Sequence, residues 1–402
     1  MKKILIVGGG RNQIPLILAS RLEGFFTVVV DYAGERCPAY SMADRFYNVS
    51  TQDEDGIMEV ARREGIDGII SNSEPSMLIV NSIAERLGLV GNPVEGIEVL
   101  VSKNRFRELQ QQVGVVCPDF FVADSLSVLL SRLPELSYPL VVKPCDSSGS
   151  RGFKKIDSYD ERMIEEAFTD CKKYSRSGMV VVEEYVEMPS LTTVEGDLFL
   201  HNGEILWDGL FSTTRSSRAP MVPMTYTAPL FLEQDRRCQI TDTLSRLLDA
   251  AGVRFGEYNV EGYFTSTGDF FVLEINVRQG GNEIPMFIKD ATDIDMNRLL
   301  VTTAVGDTSY WDYLKGSRRV CQYAMKHLVF SYAEGSYGGL QIDDSVRKYI
   351  TRTVEWLKPG DHVDRCVNAT NVVAIVDLRF PAYQEQSQVY ERMDELINVI
   401  IN

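Results

Sequence analysis

Over the first hundred residues, short apolar runs alternate with segments whose apolar residues recur at helical spacing. The order is KKILIVG, residues 14–22, FTVVVDY, residues 56–64, DGIISN, residues 77–87 and LGLVGNP. Strand and helix in turn predict a parallel α/β layer. The unbroken β-branched run Val28 to Val30 suits strands covered on both faces. Ligands of such sheets meet the carboxyl ends of the strands, here Gly8 to Asn12, Asp31 and Ser71 to Glu74. Gly8, Gly10 and Asp31 have the spacing of a dinucleotide-binding turn, but Gln13 stands where its third glycine belongs. A tight first turn, or a small-substrate contact, accounts for the same glycines.

Further along, the pattern predicts a helix from Ser102 to Val113, with Ser102 at its N-cap and Gly114 ending it. Strands at Tyr138 to Lys143 and Met179 to Val186 flank a Gly/Ser loop and an amphipathic helix from Asp160 to Tyr174. Residues 192–212 alternate with period two around Asn202-Gly203, a hairpin signal. A second hairpin, VEGYFTSTGDFFVLEINV, turns at Ser266 to Asp269. Between them TTRSSRAPMVPMTYTAP reads as a long loop. The last ninety or so residues add the strands CQYAMKHLVFS and NVVAIVDLRF and a terminal helix, Tyr383 to Val399.

Composition narrows the class. With 402 residues, 44% hydrophobic and 24% charged, the chain is an ordinary globular protein of two to three domains. A formal charge of −16 disfavours nonspecific attachment to nucleic acid or anionic membrane, so a phosphate-bearing ligand needs a local site. No apolar stretch reaches membrane-spanning length, and the four apolar residues after Lys3 are too few for a secretory signal. Seven scattered cysteines without a C-x-x-C pair argue against a disulfide framework and for the cytoplasm. Three dispersed histidines disfavour a His/Cys metal site, and His327, inside an apolar run, reads as a core residue.

Two constellations carry chemistry. The first is Lys143-Pro-Cys-Asp146-Ser147-Ser148-Gly149-Ser150-Arg151-Gly152, a strand ending in lysine and then a loop of small polar residues. Its backbone N–H groups and hydroxyls can approach phosphate oxygens, and Lys143 and Arg151 supply charge. It is not a Walker loop, because the lysine precedes the glycines. The second is Glu261 with Glu274-Ile-Asn276-Val-Arg278 on the next strand of the hairpin. Alternation puts Glu274, Asn276 and Arg278 on one face with Glu261 opposite, offering hard oxygen ligands for Mg²⁺. Unpaired carboxylates are poor choices within so apolar a strand unless a ligand compensates them.

In this order the residues resemble the ATP-grasp superfamily of carboxylate-amine ligase type, with a carbamoyl-phosphate-synthase-like ATP-binding fold, over most of residues 1–310. The resemblance implies a multidomain α/β and α+β chain. It has an N-terminal parallel α/β (pre-ATP-grasp) domain at 1–100 and a two-subdomain ATP-grasp fold at 101–310, with a mobile lid at about 115–186. A C-terminal β-rich α+β domain at 311–402 completes it. Lys103 and Lys143 look like the two nucleotide-binding lysines, and Asp146 to Gly152 like the lid over the phosphates. VVVEEYV resembles the hinge, with Glu183, Glu184 and Val186 facing adenine. Glu261, Glu274 and Asn276 match the Mg²⁺ ligands and Arg278 the substrate-orienting arginine. The usual Gly-x-Glu after the hinge is replaced by Met188-Pro-Ser-Leu191, leaving Glu187 as the substitute ribose contact.

The implied activity is ATP-dependent ligation: a small carboxylate becomes an acyl phosphate that an amine opens, releasing ADP and phosphate, with ATP and Mg²⁺ as cofactors and Mn²⁺ as an admissible substitute. The catalytic residues implied are Arg278 and Lys143. Arg215 and Arg218, in the long loop, are candidates to pair with a substrate carboxylate, and Glu74, Gly280 and Gly281 complete the candidate substrate contacts. Two other classes remain open: phosphorylation of a carboxylate or carbamate without ligation, and a nucleotide sensor. The expected partners are small carboxylates and amines, with no nucleic acid and no membrane, and a homodimer is left open.

Overall fold

The computed structural model describes residues 1–147, 151–220, 222–315 and 321–402. Strands β1 (Lys3–Val7), β2 (Phe26–Val30), β3 (Arg45–Tyr47) and β4 (Gly68–Ile70) form a parallel sheet in the order β3-β2-β1-β4. Alternation divides its side chains between two cores. Ile4, Ile6 and Val29 pack with helix Ile14–Leu22 and with Val301 and Ala304 of helix Met296–Ala304. Leu5, Val7, Val28 and Val30 pack on helices Glu54–Glu64 and Met77–Leu87. Burial on both faces explains the uninterrupted apolar runs. One face is thus covered by a helix some three hundred residues away in sequence. LGLVGNP forms no strand: it is the turn after the Gly88 cap, which takes φ 65°.

The first-turn glycines serve the turn itself. The Asp31 carboxylate accepts the Gly9 and Ala33 N–H groups at 2.9 and 2.8 Å, and a Cβ on Gly9 would lie 2.4 Å from Cys37 Sγ. Asp31 of the dinucleotide-like spacing is thereby used locally, and Gly8 takes φ 98° in the same turn.

A second, antiparallel sheet contains β5 (Phe120–Ala123), β6 (Leu140–Pro144), β7 (Lys154–Ile156) and β8 (Val180–Glu184), in the order β5-β8-β6-β7. Helix Glu161–Tyr174 covers it, capped by Asp160, whose side chain accepts the Met163 N–H. At helix Lys103–Val113 the expected N-cap Ser102 is in place, but its hydroxyl donates to Asn104 instead of capping.

The remaining strands are β9 (Thr192–His201), β10 (Glu204–Arg215), β11 (Pro223–Ala228), β12 (Gly256–Phe264), β13 (Phe270–Asn276), β14 (Tyr323–Val329), β15 (Gly335–Ile342), β16 (Ile350–Glu355), β17 (His362–Val363), β18 (Ala374–Phe380) and β19 (Ile397–Ile401). Eight of them make one sheet in the order β13-β12-β9-β10-β11-β14-β18-β16, and β17-β15-β19 make a small one. The β9/β10 hairpin turns at Asn202 and Gly203, both with positive φ, as the Asn-Gly signal requires.

Two expectations are corrected. The segment read as a long loop contains the end of β10 and all of β11, because Met224 and Tyr226 face the core while Thr225 and Thr227 pair across the sheet. The terminal helix stops early: Tyr383–Tyr390 and Met393–Leu396 are helical, whereas INVII is strand β19, its β-branched run pairing with β15. His327 is a core residue, bonded to Thr225 at 2.9 Å, and burial pushes its imidazole down to about 4. Among the described residues no helix is long and apolar enough to cross a membrane.

Candidate active site

A cleft of about 310 Å³ separates the β5–β8 sheet from one face of β9–β13. Register builds its floor. Glu195, Glu261 and Glu274 lie side by side on β9, β12 and β13, and Asp197, Asn259 and Asn276 form the next row. A bulge after Glu261 shifts the register beyond it.

On the wall above, Lys143 and Glu183 each lie one residue before the end of their strands, β6 and β8. The Lys143 ammonium is 2.5 Å from Glu183, whose other oxygen takes Arg107 at 2.9 Å. All three are buried. Burial pushes Lys143 down to about 8, with Arg107 adding to the fall and Glu183 opposing it. Burial alone would raise Glu183, but Arg107 and Lys143 hold it at about 2, so both partners are ionised at neutral pH. Lys103 reaches across from its helix to donate to the Ser147 carbonyl.

The floor has the opposite balance. Arg215 lies 2.7 Å from Glu195 and also bonds Glu261. Burial raises Glu261 to about 8 against the pull of Arg215, with Glu195 and Glu274 adding repulsion. Burial likewise raises Glu195. Glu274 goes the other way: burial would raise it, but Lys103 and the Asn276 amide, bonded at 2.9 Å, keep it ionised. Among the described residues no three His, Cys, Asp or Glu side chains already form a metal cage. Mg²⁺ asks for less, commonly one or two carboxylates with phosphate oxygens and water. Glu261 and Glu274 with Asn276 fit that need, and the raised Glu261 marks negative charge that a divalent cation would offset.

The cleft brings together most of the expected residues. Lys103, Lys143, Ser147, Arg151, Glu183, Val186, Glu261, Glu274, Asn276, Arg278 and Gly281 all line it. Arg278 is 3.3 Å from Glu74 of the N-terminal domain. Gly280 packs over Asp197, accepting no side chain there: its N–H donates to that carboxylate at 2.9 Å, and a Cβ would come within 2.8 Å of it.

Other expected residues are turned elsewhere. Asp146 accepts the Arg176 and Ser177 N–H groups at 2.9 and 2.7 Å, anchoring a turn instead of facing the cleft. Glu184 points away from Glu183, as strand alternation demands, and takes the Ser137 N–H. Glu187 is exposed and does not line the cleft. Gly152, with φ 74°, packs on Pro144. Arg215 does line the cleft, where the protein's own carboxylates Glu195 and Glu261 engage it, whereas Arg218 lies over the Tyr332 ring. Ser148, Gly149 and Ser150 lie outside the described residues.

Several participants went unread in the sequence. Arg107 sits one turn after Lys103, on the same helix face, a spacing that could have flagged it. Glu195 and Asp197 alternate along β9 with the period of the face already recognised on β13. Tyr185 also lines the cleft.

Residues 136–285 match the family model of the ATP-grasp domain. The ATP-grasp match thus covers the segment that holds most of the cleft residues, and the whole chain shares its fold with solved structures. It is similar to the L-amino acid ligase of Bacillus licheniformis, with 21% identity and a TM-score of 0.80 over 100% of this chain and 99% of that one. It also resembles the phosphoribosylglycinamide synthetase of Anaerococcus prevotii, at 16% identity and TM-score 0.74 over 100% of both chains. In sequence it is 24% identical over 353 residues to the carbamoyl phosphate synthase large chain of Xylella fastidiosa, covering 83% of this chain. It spans 32% of that relative's length.

Proposed function

We propose that the protein is an ATP-dependent ligase that activates a small carboxylate as an acyl phosphate and joins it to an amine. The observation that carries this reading is the pairing of a cationic wall, Lys103, Lys143 and Arg107, with the acidic row Glu195, Glu261 and Glu274 across one cleft. In this reading Lys103 and Lys143 hold the phosphates, and Tyr185 and Val186 border the base. Glu261, Glu274 and Asn276 would hold Mg²⁺, which when bound would offset charge on the terminal phosphates. Arg278, steadied by Glu74, orients the carboxylate for in-line attack on the γ-phosphoryl group. Displacement of ADP gives the acyl phosphate, and the amine then expels phosphate without any side-chain nucleophile.

The fold shared with an L-amino acid ligase and with a phosphoribosylglycinamide synthetase favours small metabolites as substrates. Segment 115–186 is the part proposed to close over the nucleotide, Mn²⁺ to replace Mg²⁺, and the protein to act in the cytoplasm, with a homodimer as its proposed assembly.

Product analysis over a panel of carboxylates and amines tests the reading. ADP and phosphate should appear with the right pair, and hydroxylamine in place of the amine should yield a hydroxamate. AMP and pyrophosphate would refute it. Release of a phosphorylated carboxylate unaffected by any amine would replace ligation by simple phosphorylation.

A further inference from the structure

Asp197 and Glu257 are two buried acids that the proposed chemistry leaves unused. Asp197 on β9 lies opposite Asn259 on β12, and Glu257 precedes Asn259 by two residues. The three side chains therefore share one face of the sheet, with the two acids as diagonal neighbours. Asp197 is fully buried and Glu257 is 4% exposed. Among the described residues neither acid forms an ion pair. Arg278, which lies near Asp197, pairs with Glu74, and Asp295, which adds negative charge near Glu257, pairs with Lys289.

Their hydrogen bonds assign them different states. Asp197 collects donors: the Asn259 amide at 2.9 Å, and the Gly280 N–H at 2.9 and 3.1 Å from its two oxygens. An ionised carboxylate suits that role. Glu257 bonds the side chains of Gln279 and Asp197. A bond between two acids needs a proton on one of them, and since Asp197 is the acceptor of its other partners, the donor is the Glu257 O–H. Ionising both would set two like charges side by side away from water. In agreement, burial pushes Glu257 well above the usual carboxylate range, and the Asp197 carboxylate adds to the rise. Burial raises Asp197 as well, but there the Gly280 N–H, the Asn259 amide and Glu257 oppose it.

The pair holds the segment that carries Arg278. The Arg278 carbonyl accepts the Asn259 N–H at 3.0 Å, and two residues further on Gly280 is fixed to Asp197, where a Cβ would meet Asn259, Ile284 and Asp197 at 2.7 to 2.8 Å. Between them Gln279 donates to Asn297 at 3.0 Å and accepts from Asn72 at 3.2 Å. We infer that Glu257 is a positioning residue: its proton, donated to Asp197, fixes that carboxylate where it grips Gly280, and so sets the backbone from which Arg278 reaches the cleft. The consequence for catalysis rests on the proposed role of Arg278 in orienting the substrate carboxylate. The shared proton does not.

Two measurements on the full chain, without nucleotide and at neutral pH, test the assignment. The infrared difference spectrum between the native chain and Glu257→Gln should contain a protonated-carboxyl C=O band of the native chain that shifts in D₂O. Hydrogen exchange at the Gly280 amide, read by mass spectrometry with fragmentation to that residue, reports the grip of Asp197. Glu257→Gln keeps a donor for Asp197 and should exchange at about the native rate, whereas Glu257→Leu, of similar size but without a donor, should exchange about tenfold faster or more. Rescue by Gln thus separates proton donation from packing. Absence of the band, a native rate in folded Glu257→Leu, or equal acceleration in Glu257→Gln would each overturn the proposal. Should Glu257→Leu not fold, the band and the rate in Glu257→Gln still decide the matter. Neither measurement needs a substrate, so the pair can fail while ligation stands, and ligation can fail while the pair stands.

Discussion

The cationic wall and the acidic floor of the cleft are both buried ion clusters, yet they meet the cost of burial in opposite ways. On the wall, Arg107 and Lys143 share one carboxylate, and Lys143 and Glu183 are both ionised at neutral pH. On the floor, Glu195 and Glu261 share one guanidinium with Glu274 alongside, and Glu261 is driven up to about 8. The wall balances itself and leaves surplus positive charge for an anion. The floor is incomplete by itself, a condition expected of a cation site.

The hardest test of this contrast is Glu274→Gln, which removes the floor carboxylate that is held ionised. Loss of a metal-binding charge should cost several kcal/mol of transition-state stabilisation, roughly a thousandfold in ADP formation, with an unchanged circular dichroism spectrum. Near-normal turnover at saturating Mg²⁺ would remove the floor from the chemistry. Lys143→Met should act differently. Arg107 still satisfies Glu183, so the fold should persist while affinity for an ATP analogue falls by about a hundredfold, to the same extent with and without Mg²⁺. A loss seen only with Mg²⁺ would mean that the two clusters do not divide the work.

The wall also makes a prediction about stability. Glu183 is held at about 2 against an ordinary 4.5. A carboxylate depressed on folding contributes stability that is complete above pH 4.5 and is lost as pH falls toward 2. At about 1.4 kcal/mol per unit this amounts to roughly 3 kcal/mol. Urea unfolding midpoints followed from pH 6 to 3 should decline in the native chain, and Glu183→Gln, less stable throughout, should show a shallower decline. Parallel slopes would mean that Glu183 does not carry the acid sensitivity.

The sequence was most informative where one local rule acts alone. The Asn-Gly hairpin and the alternation Glu274, Asn276, Arg278 need only neighbours, and the structure has both. It was least informative where a distant partner decides. INVII reads as a helix end until β15 offers an edge, and Pro223–Ala228 reads as loop until β10 and β14 enclose it. The candidate site divides in the same way. Glu261 and Glu274 stand out by chemistry, whereas Asp146 and Arg215 carry suitable groups whose partners, Arg176 and Ser177 for one and Glu195 for the other, are known only from packing.

The smallest expected effect probes that last partner. Glu195 takes Arg215 at 2.7 Å, and so shares a guanidinium that also bonds Glu261. In Glu195→Gln the guanidinium loses an acidic partner, and its stronger hold on Glu261 competes with a metal ion for that carboxylate. The Mg²⁺ concentration for half-maximal ADP formation should therefore rise by about tenfold, near 1.4 kcal/mol, while the rate at saturating Mg²⁺ changes little. A fall of a hundredfold or more that Mg²⁺ does not rescue would make Glu195 a direct participant like Glu274. An unchanged Mg²⁺ requirement would mean that Arg215, not the acidic surplus, sets the charge of the floor.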